Sequence, residues 1–291
     1  MHQQQKARIL LILSAIVFGT IALFTKNIPI SSGELSLYRA ILAAFMVAMY
    51  LWLAKKPIKF QKIKKDLPLL LLSGASMGIN WILLFEAYHY TTVSVATISY
   101  YFAPILVTIF CPIFFKEKMT KKKLICFIFS TVGLFLVIGL ENLFQPGNDI
   151  KGILLGLGAA LFYTCVIMLN KTIKRVAGIE RTLLQFMAAI IVLTPYVFFS
   201  TGFNLHTLEV KGWLFLLIVG FFHTGFTYCM YFSAIKDLPG QETAILSYID
   251  PLVATLLSVV VLSEYISPLQ LIGAVIMLSF TIYSHVEVKK A

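Results

Sequence analysis

An aspartate directly before a proline, Asp250–Pro251, stands in the middle of a long apolar stretch near the end of the chain. At the centre of a membrane-spanning helix, a carboxyl group costs roughly 2.5–3.5 kcal/mol to insert. The proline removes a backbone donor and leaves one carbonyl without its partner a turn earlier. A carboxylate beside such a loosened backbone can hold a proton or a cation, so Asp250 is the candidate coupling residue. The alternative is structural: Asp250 caps the break or bonds to Ser247.

A histidine, His223, lies in the middle of the preceding apolar stretch, on one face with Thr227 and Tyr228. Because histidine titrates near physiological pH, His223 could relay protons together with Asp250. A neutral histidine that is hydrogen-bonded inside a helix bundle is the other interpretation.

Aromatic and small polar side chains recur in several apolar stretches and could together line a cavity. Aromatic rings stack on planar solutes and hold cations at their faces, although aromatic residues near the ends of membrane spans more often belong to the interfacial belt. The candidate substrate-binding residues are Asn80, Trp81, Tyr101, His223, Thr227, Tyr228, Ser247 and Tyr248.

Two further charged residues also fall inside apolar stretches. Glu86 is a few residues from the outer end of its helix, and helical spacing turns it away from Asn80, which favours a side chain that reaches the membrane interface. Arg39 lies in the outer part of another helix. An arginine inside a membrane span is a functional candidate by default, and the alternatives are an anchor near the lipid headgroups or a bond to a helix end.

The elements that must position these residues are membrane-spanning helices. Of the 291 residues, 59% are hydrophobic and 13% are charged, whereas soluble proteins carry about 25% charged residues. A helix needs about 20 apolar residues to cross a bilayer, so the length fits about ten spans and no additional soluble domain. The apolar runs predict helices near residues 8–27, 34–54, 67–89, 92–115, 124–140, 151–170, 181–200, 212–235, 241–262 and 267–286.

Basic residues lie mainly on one side of this helix order. The lysine-rich segments 55–65 and 116–123 fall on the same side as both chain ends, whereas the opposite side receives Lys26, Lys151 and Lys211. The positive-inside tendency therefore places both termini in the cytoplasm, with the chain in the cell membrane. This distribution, rather than nucleic-acid binding, accounts for the net charge of +11.

Cysteine spacing and nucleotide motifs give no sign of a cofactor. The four cysteines lie inside apolar runs and form no CxxC pair, so neither a disulfide framework nor a zinc site is indicated. The phosphate-binding loop of ATP-driven proteins is not found in the sequence either. We expect no metal, no cofactor and no direct use of ATP.

An internal repeat relates the two halves of the chain. Residues 94–117 lie over residues 241–264 at an offset of about 147 positions. The first half has Ala103 where the second has Asp250, so the binding chemistry is expected to be asymmetric. The matches that carry the repeat are Tyr101 with Tyr248, Pro104 with Pro251, Thr108 with Thr255, Glu117 with Glu264, and Gly78 with Gly225.

Each half holds five predicted helices, and an odd number forces the two copies to insert in opposite orientations. The loops agree, because the basic segment KMTKKK follows Glu117 whereas YISPLQ, which has no basic residue, follows Glu264. The expected fold is an all-α integral membrane protein with ten transmembrane helices in two inverted five-helix repeats. The repeats would span residues 1–145 and 146–291 and form one bundle.

With these residues in place, the chain resembles the drug/metabolite transporter superfamily and, within it, the ten-helix EamA-type permeases. Three segments carry the resemblance: YRAILAA (38–44), FEAYHYTTVSVATISYYFAPI (85–105) and YFSAIKDLPGQETAILSYIDPLVATLLSVVVLSE (231–264). The resemblance implies secondary transport, often export, through a central cavity between the halves. It leaves the substrate open among amino acids, sugars, nucleotide precursors and drugs.

The resemblance, added to the residue patterns, implies a secondary active transporter that exports a small, amino-acid-like metabolite by alternating access, with protons as candidate coupling ions. Its expected partners are this small molecule and the lipid bilayer. An organic-cation or drug permease that uses Asp250 and the aromatic residues is the alternative within transport. An intramembrane enzyme or a sensor is the alternative from another class, although an enzyme would need clustered His, Asp or Ser side chains or larger loops than this sequence has.

Overall fold

The computed structural model describes residues 2–25, 27–55, 60–91, 96, 99–138, 150–176, 178–262 and 267–285. Within these ranges the chain forms helices and turns and no strand. The helices of the first half are α1 (His2–Thr25), α2 (Ser32–Leu53), α3 (Phe60–Tyr90), α4 (Ala103–Phe115) and α5 (Lys121–Ile138).

The second half begins with α6 (Ile150–Thr172) and α7 (Gly178–Ser200). Helix α8 (Val210–Ile235) contains a π-helical segment, Val219–Phe226. Helix α9 has two segments, Gly240–Leu246 and Ile249–Leu262, and α10 spans Pro268–His285.

Six of these helices are long and apolar enough to cross a membrane, namely α1, α2, α3, α6, α7 and α8, and the described part of α4 and α10 are shorter apolar helices. Large apolar side chains cover their outer faces, as Trp52 and Phe199 show with 77% and 84% exposure. Such a surface is unsuited to water and suited to lipid. The chain is a multi-pass membrane protein.

The helices of the two halves pack in corresponding ways. Helix α3 packs against α6 and α7, and α8 packs against α1 and α2, while α5 pairs with α10. On α3, Gly74 lies directly against the backbone of Gln185 on α7, so that a side chain there would collide with the Gln185 carbonyl oxygen. This contact agrees with the small-residue spacing of Gly74 and Gly78, which permits close helix packing.

Helix α3 starts earlier than its apolar run indicates. It begins at Phe60 rather than near residue 67, so the first turns carry charged residues and extend the helix beyond the apolar span. Ile63 is buried against Ile173 and Val176, which follow α6. This packing extends the helix over a segment that hydropathy alone assigns to a loop.

The fourth and ninth helices are interrupted where the sequence predicted continuous helices. A turn at Tyr101 and Phe102 precedes α4, and a turn at Ser247 and Tyr248 separates the two segments of α9. A proline follows each turn, within the first helical positions, where its missing N–H costs no hydrogen bond. Residues 92–95, 97 and 98 of the predicted fourth helix lie outside the described residues.

Candidate functional site

Five aromatic side chains from four helices meet inside the bundle and are called the aromatic cluster here: Phe18 of α1, Trp81 of α3, Tyr163 of α6, and Tyr228 and Tyr231 of α8. The Trp81 indole N–H donates to the Tyr228 hydroxyl at 3.2 Å, and Phe18 meets the Tyr228 ring edge-on at 5.1 Å between centroids. The Tyr163 and Tyr231 hydroxyls are 2.6 Å apart. The cluster therefore joins α1, α3, α6 and α8 at one place.

Asp250 lies beside the aromatic cluster. Its carboxylate accepts a hydrogen bond from Tyr101, and Tyr163, Tyr228 and Tyr231 are close enough to interact with it electrostatically. It occupies the first turn of the second α9 segment, where the helix N-terminus stabilises negative charge. Asp250 is half-buried, and its neighbours Tyr228 and Tyr231 are buried within the bundle, so its carboxylate lies towards the aromatic cluster.

A glycine allows α9 to approach α1 at this depth. Gly19 lies against the carbonyl oxygen of Asp250, 2.6 Å from where its Cβ would be, and against the Val253 side chain. Any larger residue at position 19 would push the second α9 segment away from α1. Close packing thus fixes the backbone that carries the carboxylate.

The two predicted residues at the α9 break bond away from the aromatic cluster. The Ser247 hydroxyl donates to the Thr243 carbonyl at 2.9 Å and so completes the end of the first segment. The Tyr248 side chain is fully buried, and its hydroxyl lies 2.7 Å from the Thr131 hydroxyl on α5. The Ser247 contact therefore stabilises a helix end, and the Tyr248 contact joins α9 to α5.

Asn80 and Thr227 also make contacts within the helix framework. The Asn80 amide donates to the Ala159 carbonyl at 2.6 Å and ties α3 to α6. The Thr227 hydroxyl donates to the Phe222 carbonyl, five residues earlier, at 2.8 Å. The Thr227 backbone N–H makes the same five-residue contact to Phe222, which is the bond of a π-helical turn.

His223 lies in the same π-helical segment and contacts α1. Its Nε2 is 2.8 Å from the Thr20 hydroxyl, and its ring is tilted against Phe24 with centroids 4.7 Å apart. His223 and Asp250 therefore meet neighbouring residues of α1, Thr20 and Gly19, rather than each other. π-Helical segments frequently occur at functional sites, and the amphipathic pattern of α8 gave no sign of this one.

Arg39, which the sequence left undecided, lies against the aromatic cluster. Its guanidinium carbon is 4.3 Å from the centre of the Trp81 ring, and the group hydrogen-bonds to Tyr228. The side chain is 5% exposed, so it does not reach the lipid headgroups. Helical spacing within α2 could not indicate which ring on α3 it would meet.

Glu86 takes a different position. Its carboxylate accepts a hydrogen bond of 2.5 Å from the Tyr196 hydroxyl on α7, apart from the Trp81–Tyr228 pair. The helical spacing predicted that Glu86 and Asn80 lie on different faces of α3, and their contacts with α7 and α6 respectively are consistent with this. Glu117, at the end of α4, pairs with Lys171 at 2.7 Å, whereas its counterpart Glu264 lies outside the described residues.

Comparison with known proteins identifies a family to which this chain is similar. The EamA-like transporter family matches the chain twice, over residues 5–139 and residues 150–284. A protein of Bacillus subtilis (strain 168), named the uncharacterized transporter YxxF, is 28% identical over 260 residues, covering 89% of this chain and 82% of that protein. Protein PecM of Dickeya dadantii (strain 3937) is 25% identical over 216 residues, covering 72% and 71%.

A protein of known crystal structure has the same fold. It superposes with a TM-score of 0.83 and covers 96% of this chain and 97% of its own length at 15% identity. At this identity the likeness concerns the helix arrangement alone.

Proposed function

We propose, since this chain belongs to the EamA-like transporter family, that it is a secondary transporter which exports a small, amino-acid-like metabolite across the cytoplasmic membrane by alternating access. Transport of small molecules across a membrane follows from the family. The class of metabolite, the direction of transport and coupling to protons are the proposed part. In this proposal Asp250 carries the coupling proton.

The observation that carries the proposal is the position of Asp250 at the break in α9, facing the bundle interior beside the aromatic cluster. Interrupted helices in corresponding positions of two repeats are the best sequence-level pointer to a transporter binding site. The described titratable groups that face Asp250 are Tyr101, Tyr163, Tyr228 and Tyr231. No described cation forms an ion pair with Asp250, so a proton is the simplest charge-neutralising partner.

Two inverted repeats, residues 1–145 and 146–291, would provide the alternating access. The corresponding packing of α3 on α6 and α7 and of α8 on α1 and α2 supports this, as does the double match to the family. Rocking of one repeat against the other would expose the aromatic cluster to each side in turn.

Topology is the first expected result. Single cysteines placed in 55–66 and near either terminus, in a variant without native cysteines, should be labelled only after the cells are opened. Cysteines in 142–150 and 201–211 should be labelled in intact cells, because the basic residues favour the opposite side for them. Labelling of 55–66 from outside would overturn the proposed orientation.

Transport itself is tested with purified protein in proteoliposomes, under a pH gradient, against radiolabelled amino acids, amines, sugars and nucleosides. We expect one amino-acid-like compound to accumulate and the other classes to fail. Accumulation of a permanently charged organic cation instead would favour the drug-permease alternative. If none of the classes moved under any gradient, the proposed metabolite class would be rejected.

The aromatic cluster is expected to determine affinity for the transported compound. Trp81→Ala should raise its KM by about tenfold or more, because stacking and a hydrogen bond to Tyr228 are lost together. Glu86→Gln, further along the same helix and bonded to Tyr196 rather than to the aromatic cluster, is the control and should leave KM within about twofold. A selective loss of affinity in the Glu86 variant would mean that the binding site lies on the other face of α3.

A further inference from the structure

We propose that Arg39 binds a carboxylate, or an equivalent oxyanion, on the transported molecule. This inference rests on the transport function proposed above and specifies one chemical group that the substrate must carry.

Five charged side chains in the described part of the chain are buried, and four of them have partners suited to their charge. Glu34 accepts hydrogen bonds from the Ser31 hydroxyl and the Asn204 backbone, and Arg181 donates to three backbone carbonyls. Asp66 and Glu242 form ion pairs. The five buried residues are Glu34, Arg39, Asp66, Arg181 and Glu242. Four of them have these partners: Glu34 has Ser31 and Asn204, Asp66 has Arg175, Arg181 has Asn170, Ile173 and Phe232, and Glu242 has Arg8.

Arg39 is the exception. None of the ion pairs among the described residues involves Arg39. Its Nε, like that of Arg181, donates to no acceptor, but Arg181 has three backbone carbonyls at its other nitrogens to compensate its charge. Arg39 contacts the Trp81 ring and the Tyr228 hydroxyl, and Tyr100 is also close enough to interact with it electrostatically. A ring face compensates a cation by about 0.5–2 kcal/mol, which is less than the several kcal/mol that removal of an ion from water costs. The site therefore lacks a negative partner.

The geometry suits an oxyanion. A guanidinium group carries its N–H donors in the plane of the group, while its face stacks on aromatic rings. In Arg39 the guanidinium lies over the Trp81 ring, and the unpaired Nε donor belongs to the edge that binds a carboxylate in a two-pronged manner. A ligand carboxylate would thus be held at a wall of the aromatic cluster.

Asp250 does not fill this role. It interacts with Tyr228, as Arg39 does, but forms no ion pair with Arg39. The two opposite charges are therefore associated with the same tyrosine without neutralising each other. A substrate that brings its own negative group to Arg39 would complete the site and leave Asp250 free to exchange a proton.

The test uses purified full-length protein in which Trp81 is the sole tryptophan, through Trp52→Phe and Trp213→Phe, so that its fluorescence reports on the ring beneath Arg39. Both replaced tryptophans are exposed on the outer surface, at 77% and 40%. The probes are leucine, phenylalanine, glutamate and 3-phenylpropionate, each titrated beside its amide. We expect a saturable emission change with at least one carboxylate, and affinity for its amide weaker by about 30-fold or more.

Two variants assign the effect to Arg39. Arg39→Gln should abolish the preference for carboxylate over amide, and Arg39→Lys should retain part of it, because lysine keeps the charge without the planar fork. Lys122→Gln is the matched control, since Lys122 lies 4.5 Å from the Tyr283 ring, in another part of the protein. Its affinities should equal those of the parent protein.

The inference is overturned if the parent protein responds to none of the carboxylates, if amides bind as well, or if Arg39→Gln keeps the preference. Should Arg39→Gln fail to fold, an unchanged preference in Arg39→Lys would count against it equally. Transport of compounds without an anionic group, independent of Arg39, would reject this inference and keep the transport function. If the protein bound carboxylates through Arg39 but transported none of the compounds, the proposed transport function would be rejected and the inference about Arg39 would stand.

Discussion

Asp250→Asn is expected to abolish substrate accumulation that is driven by a pH gradient. Exchange of substrate between the two sides of the membrane, at equal substrate concentration and equal pH, should remain intact. Asparagine keeps the size of the side chain and can still accept the hydrogen bond from Tyr101, but it cannot take up a proton. One pH unit can support about tenfold accumulation at one proton per molecule, since it corresponds to 1.36 kcal/mol. The variant should stop at the equilibrium level. Proteoliposomes with an imposed pH gradient provide the measurement.

Asp237→Asn is the matched control for this result. Asp237 lies in the turn after α8, electrostatically close to Arg181 and apart from the aromatic cluster, so the same chemical change there should leave accumulation intact. Accumulation by the Asp250 variant that still depends on pH and equals that of the unmodified protein would remove Asp250 from coupling. Its role would then be confined to the break before Pro251.

Arg181→Met is expected to cause the largest loss of stability. Arg181 is fully buried and donates to the carbonyls of Asn170, Ile173 and Phe232 at 2.9, 3.3 and 2.6 Å. These carbonyls lie near the ends of α6 and α8, which a cation also stabilises. Each buried acceptor left unpaired costs roughly 1 kcal/mol or more, so the melting temperature in detergent should fall by about 5–10 °C.

A second arginine on the same side of the bundle separates this loss from a general effect of charge removal. The Arg175 side chain is largely exposed and pairs with the buried Asp66 at a long 3.5 Å. The Arg175 backbone N–H also donates to Asp66 at 3.0 Å, and a side-chain substitution keeps that bond. Loss of such a partly exposed ion pair costs about 0–1 kcal/mol. Arg175→Met should therefore change the melting temperature by less than about 3 °C. Equal losses in the two variants would show that the buried hydrogen bonds of Arg181 are not what stabilises the protein.

Hydropathy predicted where the helices lie, but it did not predict the turns that interrupt the fourth and ninth of them. The length of the apolar runs identified the helices. Pro251 indicated a break in α9, because proline has no N–H to make the helical hydrogen bond to the residue four positions earlier. The predicted start of α3 near residue 67 was wrong, because the helix begins at Phe60. The extra turns depend on Ile63, which packs against residues more than a hundred positions away. Such packing leaves no local periodicity to read.

The candidate site could be predicted only in part, because helical spacing fixes a face but not the helix it will meet. Trp81, Tyr228 and Asp250 were expected in one cavity, and the structure places both Trp81 and Asp250 close to Tyr228. Tyr248 looked equivalent to Tyr101 by the repeat, yet its hydroxyl bonds to Thr131 on α5. The contact of Arg39 with Trp81 depends on how α2 and α3 rotate against each other, which neither sequence segment specifies.

The π-helical segment of α8 has a consequence for the phase of the whole helix. Four residues of an α-helix advance 400°, so a buried face that repeats every four residues would drift by about 40° per step and soon turn outward. The wider turn at Val219–Phe226 absorbs one extra residue and so removes about 100° of this drift. Removal of a single residue from it would rotate Tyr228 by about 100° relative to the N-terminal half of α8, and no point substitution could restore its alignment with Trp81. The residues kept in phase are Gly212, Leu216, Gly220, Thr224, Tyr228 and Phe232.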